Sequence, residues 1–165
     1  MMRKILISAV ASLVCLAAGA QDYKSLYTKY SDNDKITSVY VSPAMFKLIG
    51  KVPEVRLNEG DVDLAPMIKS MTGFYMLQTE DQELGDKIAK DLKRIVDGKR
   101  MELMMEVNDK GQKVKVFSIG DKDFIKSMVL TLAKGPEKMF VSIDGLMRRS
   151  ELEEAIGQAA GQLFD

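Results

Sequence analysis

Met101-Glu102-Leu103-Met104-Met105-Glu106-Val107, then Asn108-Asp109-Lys110-Gly111, then Gln112-Lys113-Val114-Lys115-Val116, is the stretch on which the fold turns. Met101, Leu103, Met105 and Val107 recur at every second position with Glu102, Met104 and Glu106 between them, the period of a strand with one buried face. Asn108 to Gly111 reads as a turn, so the two runs predict a β-hairpin. Closing a four-residue turn pairs Val107 with Gln112, Glu106 with Lys113, Met105 with Val114 and Leu103 with Val116, which matches charge with charge and apolar with apolar.

Working outward, Ser127 to Ala133 and Lys138 to Ile143 predict a second hairpin around Lys134-Gly135-Pro136-Glu137. It aligns Leu132 with Met139, Leu130 with Val141 and Met128 with Ile143. Ser150-Glu151-Leu152-Glu153 is a capping box opening a last helix, with Leu152, Ala155, Ile156, Ala159 and Leu163 on one face. Gly157 and Gly161 stand four apart in it, a spacing that permits close helix approach or simply a frayed terminus. Upstream, Thr79-Glu80-Asp81-Gln82 is another capping box. Its helix carries Leu84, Ile88, Leu92, Ile95 and Val96 as one apolar stripe, with Glu83/Lys87 and Asp86/Lys90 pairs on the wet side and Gly98 at its end. Before it come a strand at Phe74 to Gln78, a short helix within Val62 to Met71, and a polar loop from Lys51 to Asp61. Ile36 to Ser42 is a further strand, running into a short helix capped by Ser42-Pro43 and stopped by Gly50. Strand, helix, helix, strand, helix, four strands and a helix predict an α+β fold: a largely antiparallel sheet with helices packed on one face.

The chain has 165 residues, 46% hydrophobic and 29% charged, with 24 Lys and Arg against 24 Asp and Glu. That is globular rather than disordered composition, and the length suits a single core. Met1-Met2-Arg3-Lys4, an apolar run from Ile5 to Ala18, and Ala18-Gly19-Ala20 before Gln21 form a positive region, a hydrophobic region and a small-x-small cleavage site. The predicted organisation is a cleaved export signal peptide at 1–20 and one α+β domain at 21–165. Cleavage places the protein in the periplasm or outside the cell and removes Cys15, the single cysteine. The alternative is lipidation at Cys15, but Ser12-Leu13-Val14 ahead of it is the wrong order for a lipobox. No later run reaches the roughly 20 apolar residues of a spanning helix, so no transmembrane span is expected after cleavage.

With no histidine in the chain and no cysteine in its mature part, Ser-His-Asp and Cys-His catalysis and imidazole or thiolate metal sites are removed together. No Gly-rich phosphate loop precedes a helix. No catalytic residue, no metal site and no cofactor is therefore assigned. What remains for catalysis is a Ser-Lys dyad or paired carboxylates at Asp61/Asp63, Asp121/Asp123 and Glu102/Glu106, with solvated loop and strand charge as the plainer account of these pairs. Asp32-Asn33-Asp34 looks like a fragment of a calcium loop but lacks the Gly and Glu that complete one, and a turn fits it better. Lys93-Arg94, Lys99-Arg100 and Arg148-Arg149 are the basic clusters, and without interleaved stacking aromatics they do not make a nucleic-acid surface.

If Leu103, Met105, Val114, Val116, Leu130 and Val141 face the helices, alternation sends Met104, Phe117, Val129, Thr131 and Phe140 to the other face as a partner-binding surface. The competing reading lays the segment from Gln21 to Tyr30, with Tyr23, Leu26, Tyr27 and Tyr30, over that same face and makes it core. Val39-Tyr40-Val41-Ser42-Pro43-Ala44-Met45-Phe46, the four-strand stretch, and Ser142-Ile143-Asp144-Gly145 before a final helix together resemble the domain-of-unknown-function 4252 family of small exported Bacteroidota proteins. The resemblance implies an envelope or secreted location and brings no catalytic or binding residues. The function expected is a non-enzymatic interaction or ligand-binding protein of the bacterial envelope, its partner an unidentified protein or small ligand. The alternative is a carboxylate-dependent envelope hydrolase.

Intact-mass measurement of the protein from its native envelope checks the first expectation. Cleavage between Ala20 and Gln21 should give an unmodified Gln21 N-terminus, and a lipid-modified Cys15 would replace an unanchored protein with an anchored one.

Overall fold

The computed structural model describes residues 22–49 and 65–153. In chain order these form α1 (Tyr23–Tyr30), β1 (Thr37–Val41), α2 (Pro43–Ile49), α3 (Ala65–Ser70), β2 (Met71–Thr79), α4 (Gln82–Gly98), β3 (Glu102–Asp109), β4 (Gln112–Gly120), β5 (Phe124–Lys134) and β6 (Glu137–Arg148). Residues 149–153 are helical beyond them. The strands make one six-stranded sheet in the order β1-β2-β6-β5-β4-β3, antiparallel at every pairing. This is the expected α+β class. The stretches expected to form the export signal, the Gly50 helix stop, the Lys51 to Asp61 loop and the Gly157/Gly161 helix lie outside the described residues.

The second hairpin has the predicted register, Leu132 opposite Met139, Leu130 opposite Val141 and Met128 opposite Ile143. The first does not. Its turn is two residues, Lys110-Gly111, both at positive φ (43° and 85°), which gives the strand pair a turn of matching twist and suits Gly at the second position. Pairing therefore runs on through Asn108–Lys113 and Asp109–Gln112, so Val107 meets Val114, Glu106 meets Lys115 and Met105 meets Val116. From Met105 to Val107 the slip is two residues, so it keeps each side chain on its face and still matches charge with charge; past the bulge at Met104, Leu103 meets Phe117 instead of Val116, one residue off. Glu106 and Lys115 approach to 3.3 Å.

Helix α4 starts later than its capping box suggested. Asp81 is the N-cap, its Oδ1 accepting from Leu84 N at 3.0 Å, while Thr79 Oγ1 accepts from Asp81 N at 3.1 Å and donates to Lys35 O at 2.8 Å. A carboxylate closer to the first turn outcompetes the hydroxyl. Ile88, Leu92, Ile95 and Val96 are buried as the stripe predicts. Of the expected wet-side pairs, Glu83 and Lys87 meet at 2.7 Å, but Asp86 pairs with Lys138 of β6 instead of Lys90. Ser42 caps α2 as expected, accepting from Met45 N at 3.3 Å, and Phe46 is the buried residue of that helix. α2 packs against α3 and β2, and α3 against β6.

Helix α1 was not assigned by periodicity, yet it completes the core. Asp22 caps it through Ser25 N at 2.9 Å, and Tyr23, Leu26 and Tyr30 are buried against Leu77, Ile88, Leu92, Ile95, Val96, Val129 and Phe140. The sheet face assigned to partner binding is thus the face the helices cover. Val129 is fully buried and Phe140 is 6% exposed; Phe117 packs against that core half-buried, as Thr131 is half-buried. Met104 alone of those residues is exposed, as the unpaired residue at a bulge in edge strand β3. The pattern could be read either way because both faces of these strands are apolar, and Tyr23, Leu26 and Tyr30 decide between them by covering the face that carries the aromatic rings. The reading in which Gln21 to Tyr30 makes this face core is the one the described part of that segment follows. Among the described residues, no helix is long and apolar enough to cross a membrane.

Phe140→Ala should therefore cost about 3–5 kcal/mol in urea unfolding, the range for deleting a buried aromatic ring. Met104→Ala should fall within roughly 0.5 kcal/mol of the parent.

Candidate functional site

Strand β6 changes register against both its neighbours at one place. On the β2 side Met71 pairs with Gly145 and Gly73 with Asp144, which leaves Thr72 unpaired. On the β5 side Ile125 pairs with Met147 and Ser127 with Asp144, which sets Lys126 against Gly145 and Leu146. Bulges re-aim side chains and take backbone groups off the ladder. Gly145 is required there, because a Cβ on it would lie 2.5 Å from Ser70 O and 2.8 Å from Met71 Cα. Thr72, Lys126, Gly145 and Leu146 all line one cavity of about 560 Å³, together with Asp144, Ser127 and Tyr75 from the sheet.

The N-terminus of α1 and the end of α4 line one side of it, through Asp22, Tyr23, Lys24 and Lys99. Tyr23 is buried and its hydroxyl donates to Met101 Sδ at 2.7 Å, while the Lys99 ammonium stands 5.4 Å from its ring centroid. Burial, with the charge of Asp144 adding to it against the opposing effect of Ser127, holds the Tyr23 hydroxyl well above its ordinary pKa. It stays protonated and remains a donor. Tyr75 is also shifted upward, by burial first and then by Tyr40 and Asp144, and it is fixed by stacking on Tyr40 at 5.0 Å and by contact with Tyr27 at 5.6 Å. Asp22 is moved downward, chiefly by the Ser25 N–H it accepts, and is occupied as a cap.

Ser118, Ser127 and Ser142 Oγ are buried in the sheet without a well-formed hydrogen bond. Of the three only Ser127 lines this cavity, where it faces the Tyr23 hydroxyl.

What holds that side is a clamp on Asp91 of α4. Its carboxylate takes the Lys29 ammonium at 2.6 Å and the Tyr30 hydroxyl at 2.8 Å, with Arg94 at 3.4 Å. Lys29 foremost, opposed by partial burial and helped by Tyr30 and Arg94, lowers the Asp91 pKa.

The other sequence candidates are accounted for locally. Asp121 Oδ1 accepts from Asp123 N at 3.0 Å and Phe124 N at 2.9 Å, a turn fastening. Asn33 organises its own turn, accepting from Lys35 N at 2.9 Å and Ile36 N at 2.9 Å. Glu102 is exposed on the edge strand, and Asp61/Asp63 lie outside the described residues. Arg94 faces Asp91 and Arg148 faces Glu151 at 3.9 Å, so those basic clusters are partly met by acidic side chains. Among the described residues no group of three or more His, Cys, Asp or Glu is placed to hold a metal ion.

The family model described as a domain of unknown function, DUF4252, matches residues 30–155. The chain belongs to the DUF4252 family. No curated protein and no solved structure matches it. The matched span includes the bulged strands, so Thr72, Tyr75, Lys126, Ser127, Asp144 and Gly145 of this DUF4252 protein lie within it, whereas Asp22 and Tyr23 precede it. Sequence reasoning assigned none of these residues to a site. Gly145 inside a strand was the available signal for a bulge.

The Asp91 clamp has a pH signature. In the unfolded chain Asp91 returns to its ordinary value of 3.8, so its folded-state advantage is present above that pH and is lost as pH falls through the lowered folded value. Asp91→Asn should melt lower than the parent at neutral pH, and the gap in Tm should close on acidification below 3.8.

Proposed function

We propose that this DUF4252 protein is an exported, non-enzymatic binding protein of the bacterial envelope that holds a small polar ligand in the cavity between α1 and the bulged ends of β2, β5 and β6. The observation that carries the reading is Asp144, half-buried in the wall of that cavity with no hydrogen bond or ion pair to the described residues. A carboxylate without a partner that faces a cavity has a ready explanation in a group that arrives from outside. A volume of about 560 Å³ lies within the usual range for small-molecule sites. The N-terminal sequence pattern supports export, to the periplasm or beyond it.

The hydrolase alternative asks for two carboxyl groups across one cleft. Among the described residues of the cavity these are Asp22 and Asp144, and Asp22 is committed to the α1 cap. A lone carboxylate suits recognition better than acid/base work.

Ligand-observed saturation-transfer NMR with the mature protein and a polar small-molecule extract of the envelope tests the reading. Thr72→Trp, at an exposed rim position, should abolish the signal by filling the mouth. Asp144→Asn should weaken it while leaving the unliganded protein within roughly 0.5 kcal/mol of the parent, because this carboxylate has no partner among the described residues to lose. A signal untouched by Thr72→Trp would place ligand binding elsewhere.

A further inference from the structure

We infer that the ligand of this cavity is zwitterionic, with the ammonium and carboxylate of a short peptide as its two ends; this rests on the cavity being a ligand site. Asp144 is half-buried and takes part in no hydrogen bond or ion pair with the described residues. Its surroundings are aromatic: its charge acts on Tyr23 and on Tyr75. A carboxylate without a partner of its own, beside tyrosine rings, makes a seat for an ammonium group.

The same cavity carries cations that do not meet this need. Lys24, Lys99 and Lys126 line it, and none is paired with Asp144. Lys126 reaches only Asp121, at 3.7 Å, and Lys99 rests over the Tyr23 ring. Charges of both signs thus share one space without neutralising each other. A simple cation entering it is repelled by the lysines, and a simple anion is repelled by Asp144. A molecule bearing both charges is attracted at both ends, its ammonium at Asp144 and Ser127 Oγ, its carboxylate at Lys99 and Lys126.

The bulges point to a peptide rather than a free amino acid. The register shifts at Thr72 and Lys126 widen the sheet end along the direction in which a short chain would lie. The cavity is also larger than a single amino acid fills.

Isothermal titration of the mature protein with trialanine, with its N-acetyl form and with its C-terminal amide tests this directly. Free trialanine should bind saturably, and each blocked form should bind about tenfold more weakly or worse, the loss expected for one charge-assisted hydrogen bond. Asp144→Asn should weaken trialanine without weakening N-acetyl-trialanine further, since both changes remove the same contact. Lys126→Gln should behave likewise toward the amide. Equal binding of free and blocked peptides overturns the inference, as does binding of a neutral trisaccharide in place of trialanine. Failure of trialanine alongside a Thr72→Trp-sensitive signal from the envelope extract overturns the peptide assignment and leaves the cavity reading standing. Failure of both removes the site itself.

Discussion

Leu77, Val129 and Phe140 rise from the middle of the sheet on one face, and keeping them from water is the constraint the rest of the molecule answers to. Helix α4 covers part of that face with Ile88, Leu92, Ile95 and Val96. It cannot cover the whole, since one helix presents a stripe about as wide as its own diameter while the sheet has six strands. The N-terminal helix fills the remainder with Tyr23, Leu26 and Tyr30. A segment at the start of the domain thereby becomes a wall of the core and, through the polar end of the same helix, one side of the cavity.

That double duty explains the chemistry of α1. At its C-terminal end Lys29 and Tyr30 are tied to Asp91, which sets where the helix lies along α4. At its N-terminal end Asp22 satisfies the first turn, so the helix begins over the sheet end and brings Tyr23 above Ser127. Below it, the coincident register shifts of β6 against β2 and β5 open the sheet where regular ladders would have closed it. The site is the meeting of a fixed helix end with an interrupted sheet. Its Asp144, without a partner among the described residues, is tolerated because the aliphatic and aromatic core lies a few residues along the same strands.

Part of this was legible residue by residue. The α4 stripe, the β1 strand, the Ser42 cap and the Leu132–Met139 register follow from local pattern because each depends on neighbours close in sequence. The Lys110-Gly111 turn was misjudged by two residues, since Asn108 and Asp109 are turn formers by type yet continue the ladder here. Helix α1 had its own signal in Asp22 followed by Tyr23, Leu26, Tyr27 and Tyr30 at helical spacing.

Composition and periodicity alone determined the α+β class, the strand pairs joined by tight turns, and the absence of imidazole chemistry. Those properties are additive over short stretches of chain. Tertiary structure alone decided which face of the β3 to β6 strands is core, because alternation marks two faces without naming the covered one. It alone brought Tyr23, Tyr75, Ser127 and Asp144 together, since they come from three strands and a helix far apart in sequence. What joins them is the burial of a shared apolar face and a register shift in β6, and neither is written in any one segment.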